Sequence, residues 1–165
     1  MGISTYLAGL RRRVGHDMLM LPSVSGVIVN DAGELLLERR SDDGRWSVPS
    51  GVIDPDEQPA DAIVREVLEE TGLHVVVERL AGVAMHPVSY PNGDECQYLN
   101  LWFRCRPVAG NAFVADDESL AVGWFAEEAL PELNDYERLR IETTLRGGET
   151  SWFAPAGSPV AALGF

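Results

Sequence analysis

Three glutamates, Glu66, Glu69 and Glu70, fall within the five positions that follow Arg65 in the segment REVLEE. Carboxylates this close repel one another at neutral pH, and like charges four residues apart on a helix destabilise it by about 0.2–0.5 kcal/mol. Carboxylate oxygens are also the ligands that hard divalent cations prefer. The segment therefore permits two interpretations, a solvated acidic face or a site where divalent cations offset the repulsion.

A helix is expected to carry this segment from about Pro59 to Thr71, because proline suits a first helical position and Gly72 suits the stop. At about 100° per residue, the three glutamates share an arc of roughly 100°. The opposite arc holds Ala60, Val64, Val67, Leu68 and Thr71. We therefore expect the helix to bury that opposite arc and to present the glutamates outward. Arg65 can reach Glu69, four residues on, and so reduce the repulsion.

The residues around this helix repeat the spacing of a known motif. Between residues 51 and 73 the sequence reads GVIDPDEQPADAIVREVLEETGL. Its fixed positions are Gly51, Glu57, Arg65-Glu66-Val67, Glu69-Glu70 and Gly72-Leu73, separated by five, seven, one and one residues. This pattern resembles the Nudix box, the loop–helix–loop motif of the Nudix hydrolase family. Ser50 stands where many members carry a glycine, and this small residue is expected to have little effect.

The resemblance extends beyond the box, because RWSVPSG directly before it and GWF at 123–125 also look like the family. The implied fold class is α/β, an α/β/α sandwich with a mixed sheet between helices. A single domain over 1–165 is expected, with a core at about 20–145. Its tail, 147–165, would dock its aromatics on the body or on a second subunit. The remaining elements follow from apolar runs and turn signals: a helix at about 4–14, a hairpin at 23–40, a loop at 41–51, extended segments at 74–85, 91–108 and 120–125, and a final helix at 135–145.

The resemblance implies a specific chemistry, the hydrolysis of a nucleoside diphosphate linked to another group X, with Mg²⁺ or Mn²⁺ as the cofactor. Glu66 and Glu70 would be direct metal ligands, and Glu69 would be a further ligand or the base that takes a proton from water. Glu57 resembles an outer glutamate that reaches metal through water. Divalent cations on the diphosphate neutralise its charge and acidify a bound water, so an acidic protein could still hold this polyanion.

Other positions of the box would support the glutamates. Arg65 would orient Glu69 or Glu57 by a charge-assisted hydrogen bond. Gly51 and Gly72 would supply a permissive backbone at the two loop ends. Gly51 could also offer its carbonyl oxygen to a metal ion.

Residues outside the box are candidates for the rest of the site, and each has a plain alternative. Some Nudix proteins take a ligand or base from another loop, and Glu118 in ADDESLAVGWF is the candidate here; an exposed acidic loop is the alternative. Arg39 or Arg40 would contact phosphate, or both are surface charges. Trp46 would line the nucleotide pocket or pack under its loop. Tyr90 or Tyr98 would stack on a base.

The identity of X depends on two weak markers downstream of the box. Pro87 stands 15 positions after Gly72, which resembles the ADP-ribose group of the family. Tyr90 stands 18 positions after Gly72, which resembles enzymes acting on dinucleoside polyphosphates. We favour ADP-ribose or a related nucleotide sugar, with dinucleoside polyphosphates or nucleoside triphosphates as the alternative. A nucleotide-binding regulator without turnover is the alternative from another class.

Composition excludes some classes of partner. The chain has 165 residues, 45% of them hydrophobic, and a formal net charge of -13. This acidity argues against a long nucleic acid, which binds patches of Lys and Arg, and against an anionic membrane surface. No apolar run reaches the roughly 18 residues that a membrane helix needs, and Cys96 and Cys105 suggest thiols of a reducing compartment. We therefore expect a cytoplasmic protein that takes a nucleotide-type small molecule, with a homodimer as an open alternative.

Overall fold

The computed structural model describes residues 5–115, 117 and 119–160. Its helices are α1 (Thr5–Val14), α2 (Pro59–Thr71) and α3 (Asp135–Arg146), with a short 3-10 turn at Glu127–Ala129. Its strands are β1 (Leu19–Ile28), β2 (Leu35–Arg40), β3 (Trp46–Ser47), β4 (Ser50–Val52), β5 (His74–Ser89), β6 (Glu95–Ala109), β7 (Ser119–Phe125) and β8 (Trp152–Phe153). Helix α2 begins and ends at the residues predicted from the sequence.

The strands form two sheets in the described part of the chain. The larger has the order β4-β1-β6-β5-β8, in which β1 runs parallel to β6 and β5 runs antiparallel to it. The smaller is antiparallel and has the order β3-β2-β7. The larger sheet is therefore mixed, as the resemblance implies, and it lies between helices.

Helices α2 and α3 cover opposite faces of the larger sheet. Neighbouring side chains along a strand point to opposite faces, and β6 shows this directly. Phe103 packs with Ile63 and Val67 of α2, whereas Trp102 packs with Tyr136 of α3. Each large apolar side chain buried in this way stabilises the fold by about 1.5–3 kcal/mol. The two clusters fix both helices against the sheet.

The expected hairpin at 23–40 forms only at its turn. Asn30 Oδ1 accepts hydrogen bonds from the backbone N–H groups of Ala32 and Glu34 at 3.0 and 2.9 Å, and Val29 bridges Leu35. Beyond this bridge β1 and β2 separate into different sheets, because β4 and β6 already occupy the two edges of β1. The segment 41–51, expected to be a loop, contains β3 and the start of β4.

The buried side of α2 also differs from the expectation. Glu66 and Glu70, predicted to face outward, are buried, with 7% and 4% of their surface exposed. Leu68, predicted on the buried side, is 38% exposed, and Ala60 is exposed as well. The reason is that β4 covers the glutamate side of α2, where an arginine and a backbone N–H satisfy the carboxylates. Burial of a charge is tolerated when it is paired in this way.

The tail docks on the body through one aromatic. Strand β8 pairs in parallel with β5, and the ring of Trp152 lies 5.7 Å from that of Trp102. Phe153 is exposed, and Phe165 lies outside the described residues. Among the helices that the structure describes, none has the length and apolar character needed to cross a membrane.

Candidate functional site

Two adjacent residues of β4 contact two glutamates of α2. The N–H of Ser50 donates a hydrogen bond to Glu70 Oε2 at 3.2 Å. Gly51 lies so close to Glu66 that a Cβ built on the glycine would be 2.0 Å from Glu66 Oε1. Since Glu66 and Glu70 are one helical turn apart, they project over the same short stretch of strand. The close approach explains why a glycine occupies position 51.

Arg65 holds three carboxylates together. Its Nε and Nη2 donate to the two oxygens of Glu57 at 2.8 and 2.9 Å. Its Nη1 donates to Glu66 Oε1 at 2.8 Å and to Glu69 Oε2 at 3.1 Å. The sequence predicts that Arg65 orients Glu69 or Glu57, and the guanidinium contacts both. It thereby offsets the repulsion inside the acidic cluster.

These bonds shift the pKa values of the partners in opposite directions. The hydrogen bond from Arg65 lowers the pKa of Glu57 below its ordinary value, against the opposing effect of burial, and the Asp54 N–H adds to the lowering. The carboxylates of Glu57 and Glu66 raise the pKa of Arg65. Both groups are therefore charged throughout the physiological range, which is what charge-assisted hydrogen bonds require.

The cluster offers only hard oxygen donors. Glu66 and Glu70 are buried side by side against β4, and the backbone of Gly51 touches the first of them. This donor set suits Mg²⁺ or Mn²⁺ in type. As the side chains stand, no three His, Cys, Asp or Glu residues in the described ranges are grouped closely enough to hold a metal ion. Three of the four carboxylates are instead bound to Arg65.

Of the two arginines at the end of β2, Arg40 is half-buried and Arg39 is exposed. Arg40 forms a two-pronged ion pair with Asp42, at 2.9 and 2.6 Å. The hydrogen bond to Asp42 is the largest cause of its raised pKa, and the charges of Glu38 and Glu70 add to it. Arg39 instead donates to the carbonyl oxygen of Gly44 at 2.9 Å in an exposed position.

The aromatic candidates have structural partners. Trp46 packs edge-on against Phe125 with ring centroids 5.0 Å apart and is half-buried. The hydroxyls of Tyr90 and Tyr98 are 2.8 Å apart and share a hydrogen bond. Burial raises the pKa of both phenols. Tyr90 is half-buried, whereas Tyr98 is buried with 9% of its surface exposed. The charge of Arg40 lowers the pKa of Tyr90 against the larger effect of burial.

Glu118 lies outside the described residues, but the loop that leads to it is anchored at the end of α2. The N–H of Phe113 donates to the carbonyl oxygen of Thr71 at 3.0 Å, and the N–H of Ala115 donates to that of Glu70 at 3.2 Å. The Phe113 ring covers Gly72, whose φ of 70° ends the helix. This loop, which follows β6 in the chain, is therefore hydrogen-bonded to the last turn of α2, the turn that carries Glu70.

Sequence reasoning missed three buried charged residues near β3 and β4. Glu38 is buried in β2 and accepts a hydrogen bond from Ser119 Oγ at 2.7 Å. Glu137 and Arg140 of α3 are bonded to each other, and Glu137 Oε2 accepts from the N–H of Val48 at 3.1 Å. The only signal for the pair was its three-residue spacing on a predicted helix, which is equally typical of solvent-exposed pairs.

Comparisons of sequence agree with the geometry. A family model described as a NUDIX domain matches residues 20–146. A MutT-like protein from Streptomyces ambofaciens is 41% identical over 110 residues, which are 67% of this chain and 66% of that protein. An RNA pyrophosphohydrolase from Pseudomonas putida is 48% identical over 52 residues, which are 32% of this chain and 33% of that protein. The chain thus spans just under two thirds of the first relative and about one third of the second.

Solved structures show a similar fold. The MutT protein from Methanosarcina mazei Go1 superposes with a TM-score of 0.68 at 27% identity, covering 81% of this chain and 99% of that one. An ADP-ribose pyrophosphatase from Streptococcus suis superposes with a TM-score of 0.62 at 25% identity, covering 81% of this chain and 96% of that one. The mixed sheet with flanking helices is common to these proteins and this chain.

Proposed function

The chain belongs to the Nudix hydrolase family, and on that premise we propose that it is a metal-dependent pyrophosphohydrolase. Its substrate would be a nucleoside diphosphate linked to a second group X. Water would attack one phosphorus of the diphosphate, and a nucleoside monophosphate and a phosphorylated partner would leave. The observation that carries the proposal is the convergence of Glu66 and Glu70 on Gly51 and Ser50, because two carboxylates one helical turn apart offer the oxygen ligands that a hard divalent cation prefers.

Each carboxylate has a role that its surroundings support. Glu66 and Glu70, with the carbonyl of Gly51, would hold Mg²⁺ or Mn²⁺, and Glu57 would reach it through water. When bound, the ion supplies Lewis acidity and acidifies a water molecule. Glu69 is the most exposed of the four glutamates, so it is free to accept a proton from water or to serve as a further ligand. Glu118 remains the second candidate for the base.

Arg65 would balance the charge of the cluster before and after the diphosphate binds. Its bonds to Glu57, Glu66 and Glu69 offset their negative charge and keep these carboxylates oriented. Exchange of one such bond for a metal ion would leave the two-pronged pair with Glu57 intact. The role proposed for Arg65 is therefore orientation and charge compensation, with no proton transferred through it.

Substrate contacts are proposed for the Arg40 end of the site. Arg40 is half-buried, and the charge of Glu70 contributes to its raised pKa, so it could bind a phosphate oxygen by exchanging from Asp42. Tyr90 is half-buried and could stack on a base, supported by the hydrogen bond to the buried Tyr98. Arg39 and Trp46 are weaker candidates, since their polar or ring surfaces already have partners.

We favour ADP-ribose or another nucleotide sugar as the substrate. Pro87 is the sequence marker, and the similar fold of an ADP-ribose pyrophosphatase supports the choice. Dinucleoside polyphosphates and nucleoside triphosphates are the second candidates, supported by Tyr90. The relative named an RNA pyrophosphohydrolase adds capped RNA to the compounds worth testing.

The decisive experiment measures product release from this panel with and without Mg²⁺, comparing the wild type with Glu70→Gln. Loss of a metal-ligand carboxylate should lower turnover at least about a hundredfold. Glu142→Gln, on the exposed side of α3, is the matched control and should behave as the wild type. Turnover that is insensitive to both Mg²⁺ and Glu70→Gln would reject the metal site. Tight nucleotide binding without any turnover would favour the regulator.

A further inference from the structure

A buried ion pair on α3 contacts the strand segment that carries Ser50 and Gly51. Glu137 and Arg140 are each 5% exposed and are bonded to each other. They belong to the helix on the opposite face of the sheet from α2, so Glu137 is not a fifth member of the acidic cluster. Its second oxygen, Oε2, accepts the N–H of Val48 at 3.1 Å. The pair therefore reaches the site through the backbone.

The backbone from Val48 to Gly51 is held from both sides. Its first N–H is bonded to Glu137 of α3, and the N–H of Ser50, two residues on, is bonded to Glu70 of α2 at 3.2 Å. Between them, the carbonyl oxygen of Pro49 accepts the N–H of Gly26 at 2.9 Å. Ser50 and Gly51 also pair with Ser25 and Val24 of β1 in the sheet. Carboxylates from two helices therefore add to the strand pairing that holds this stretch.

Arg140 connects the same pair to the neighbouring strand. Its Nη1 donates to Ser25 Oγ at 2.5 Å, and Ser25 stands opposite Ser50 in the pairing of β1 with β4. Asn100 Nδ2 donates to the same hydroxyl at 3.0 Å. The guanidinium therefore holds Glu137 and β1 in one arrangement. A displacement of Glu137 would therefore shift the backbone at Val48, which leads into β4, and would disturb the contact of Arg140 with β1.

We propose that Glu137 is a positioning residue for the carboxylate site, with Arg140 as its anchor; this rests on the proposed function. By fixing the N–H of Val48, Glu137 sets the position of Ser50 against Glu70 and of Gly51 against Glu66. A buried ion pair is a poor source of stability, because hydrophobic residues of similar volume often replace it without loss. An apolar pair could not accept the Val48 N–H, and that hydrogen bond is the part that the site requires.

Two double variants separate the hydrogen bond from the charge. Glu137→Met with Arg140→Met removes the ion pair and the acceptor for Val48. Glu137→Gln with Arg140→Met removes the same ion pair but keeps an amide oxygen that can accept this N–H. Tyr136→Phe, which deletes a buried hydroxyl bonded to Asn100 at 3.2 Å, controls for a general disturbance of α3.

The readout is Mn²⁺ affinity without substrate, measured by electron paramagnetic resonance, together with hydrogen exchange of the Ser50 amide. The Met-Met variant should raise the Mn²⁺ Kd by about tenfold or more and speed exchange at Ser50. The Tyr136→Phe variant should stay within about twofold of wild type, and the Gln-Met variant, which keeps the acceptor but loses the anchor, should lose clearly less Mn²⁺ affinity than the Met-Met variant. Wild-type affinity in the Met-Met variant, or equal loss in both double variants, would overturn the proposal.

Two further variants keep the result interpretable. Glu70→Gln is titrated in parallel: if the wild type and Glu70→Gln bind Mn²⁺ equally, the metal site of the proposed function is wrong. If Glu70→Gln loses Mn²⁺ while the Met-Met variant does not, only the role of Glu137 is wrong. Should the Met-Met variant fail to fold, Glu137→Asp withdraws the acceptor by one methylene and keeps the charge. A raised Kd there supports the proposal, and an unchanged Kd rejects it.

Discussion

The carboxylate of Glu66 occupies the place where any side chain at position 51 would begin, because a Cβ on Gly51 would lie 2.0 Å from Glu66 Oε1. Real Cβ atoms essentially never approach an oxygen so closely. The bare backbone of β4 therefore forms the floor under one glutamate, and the neighbouring N–H of Ser50 bonds to the next, Glu70. The strand and the helix have to be treated as one unit in any test of the site.

Gly51→Ala should displace Glu66 from β4 and lower metal-dependent turnover by about a hundredfold, as loss of a ligand's support does. Mn²⁺ affinity should fall with it, and calorimetry or resonance titration can measure the change. The matched control is Gly9→Ala in α1, where the nearest atom to a new Cβ is 3.8 Å away. This helical change should raise stability by about 0.5–1 kcal/mol and leave turnover alone. Wild-type Mn²⁺ affinity in Gly51→Ala would contradict the packing argument.

Gly72→Ala should destabilise the fold for two separable reasons. The residue has a φ of 70°, which costs an L-amino acid about 1–2 kcal/mol. Its Cβ would also lie 2.1 Å from Cε1 of the Phe113 ring. In a Phe113→Ala background the second cost disappears, so the same glycine substitution should be milder there. Urea unfolding of the four proteins measures the difference, and strictly additive effects would show that the ring does not press on Gly72.

The ion pair between Arg65 and Glu57 should contribute to the free energy of unfolding near neutral pH, and this contribution should be lost as pH falls. Since the pKa of Glu57 is lowered in the folded protein, the unfolded chain binds its proton first as pH falls below about 4.5, the ordinary value. The unfolding free energy should therefore decrease through this window and down to the lowered folded pKa. Arg65→Met should remove this part of the decrease, as measured by urea unfolding from pH 6 downward.

The control for that titration is Arg104→Met, which breaks a surface pair with Glu78 at 3.0 Å. Exposed pairs contribute little to stability, so its pH profile should follow the wild type. If both variants had the same profile, Glu57 would owe no special stability to Arg65.

His86 should make the free energy of unfolding decrease as pH falls from 6.5 towards 3. Burial, aided by the charge of Arg140, lowers the pKa of His86 from 6.5 to about 3. In that range the unfolded chain binds one more proton than the folded one, so stability falls as pH falls. His86→Phe keeps a ring against Tyr136, whose centroid lies 4.3 Å away, and should flatten the profile between pH 6.5 and 5.

A change at the stacked partner provides the comparison for this profile. Tyr136→Phe keeps the imidazole of His86 and a ring stacked on it, so the slope between pH 6.5 and 5 should be that of the wild type. A wild-type slope in His86→Phe would mean that another group takes up the proton.

Local sequence patterns predicted where helices and strands begin and end better than they predicted which elements pack or pair together. The bounds of α2 follow from Pro59 and Gly72, whose backbone preferences act within one turn. The pairing of β1 could not be predicted in the same way, because its partners β4 and β6 come from elsewhere in the chain. From the local sequence a hairpin of β1 and β2 was expected. Because β1 pairs with β4 and β6 instead, only the turn at Asn30 has the predicted hairpin geometry.

The same distinction holds for the site: contacts between residues close in sequence were predictable, and contacts with distant elements were not. The spacing of the box brings Arg65 into contact with Glu57 and Glu69, the two partners considered from the sequence, and also with Glu66, which was not predicted as its partner. The predicted direction of Glu66 and Glu70 was wrong, because helix periodicity assigns charge to the solvent side and takes no account of a strand lying over it. Glu137 was not predicted at all, because the role proposed for it depends on a hydrogen bond with a backbone N–H that is remote in sequence.

The hydrogen bond between Val48 and Glu137 spans 89 positions, and it has a consequence for biosynthesis. All the residues of the acidic box leave the ribosome well before α3 does. Until α3 docks, the Val48 amide lacks its carboxylate acceptor, and only the pairing with β1 and the contacts with α2 hold the strand beneath Glu66 and Glu70. A motif whose residues are close together in the sequence therefore completes its hydrogen bonds only when a helix synthesised much later has packed against the sheet.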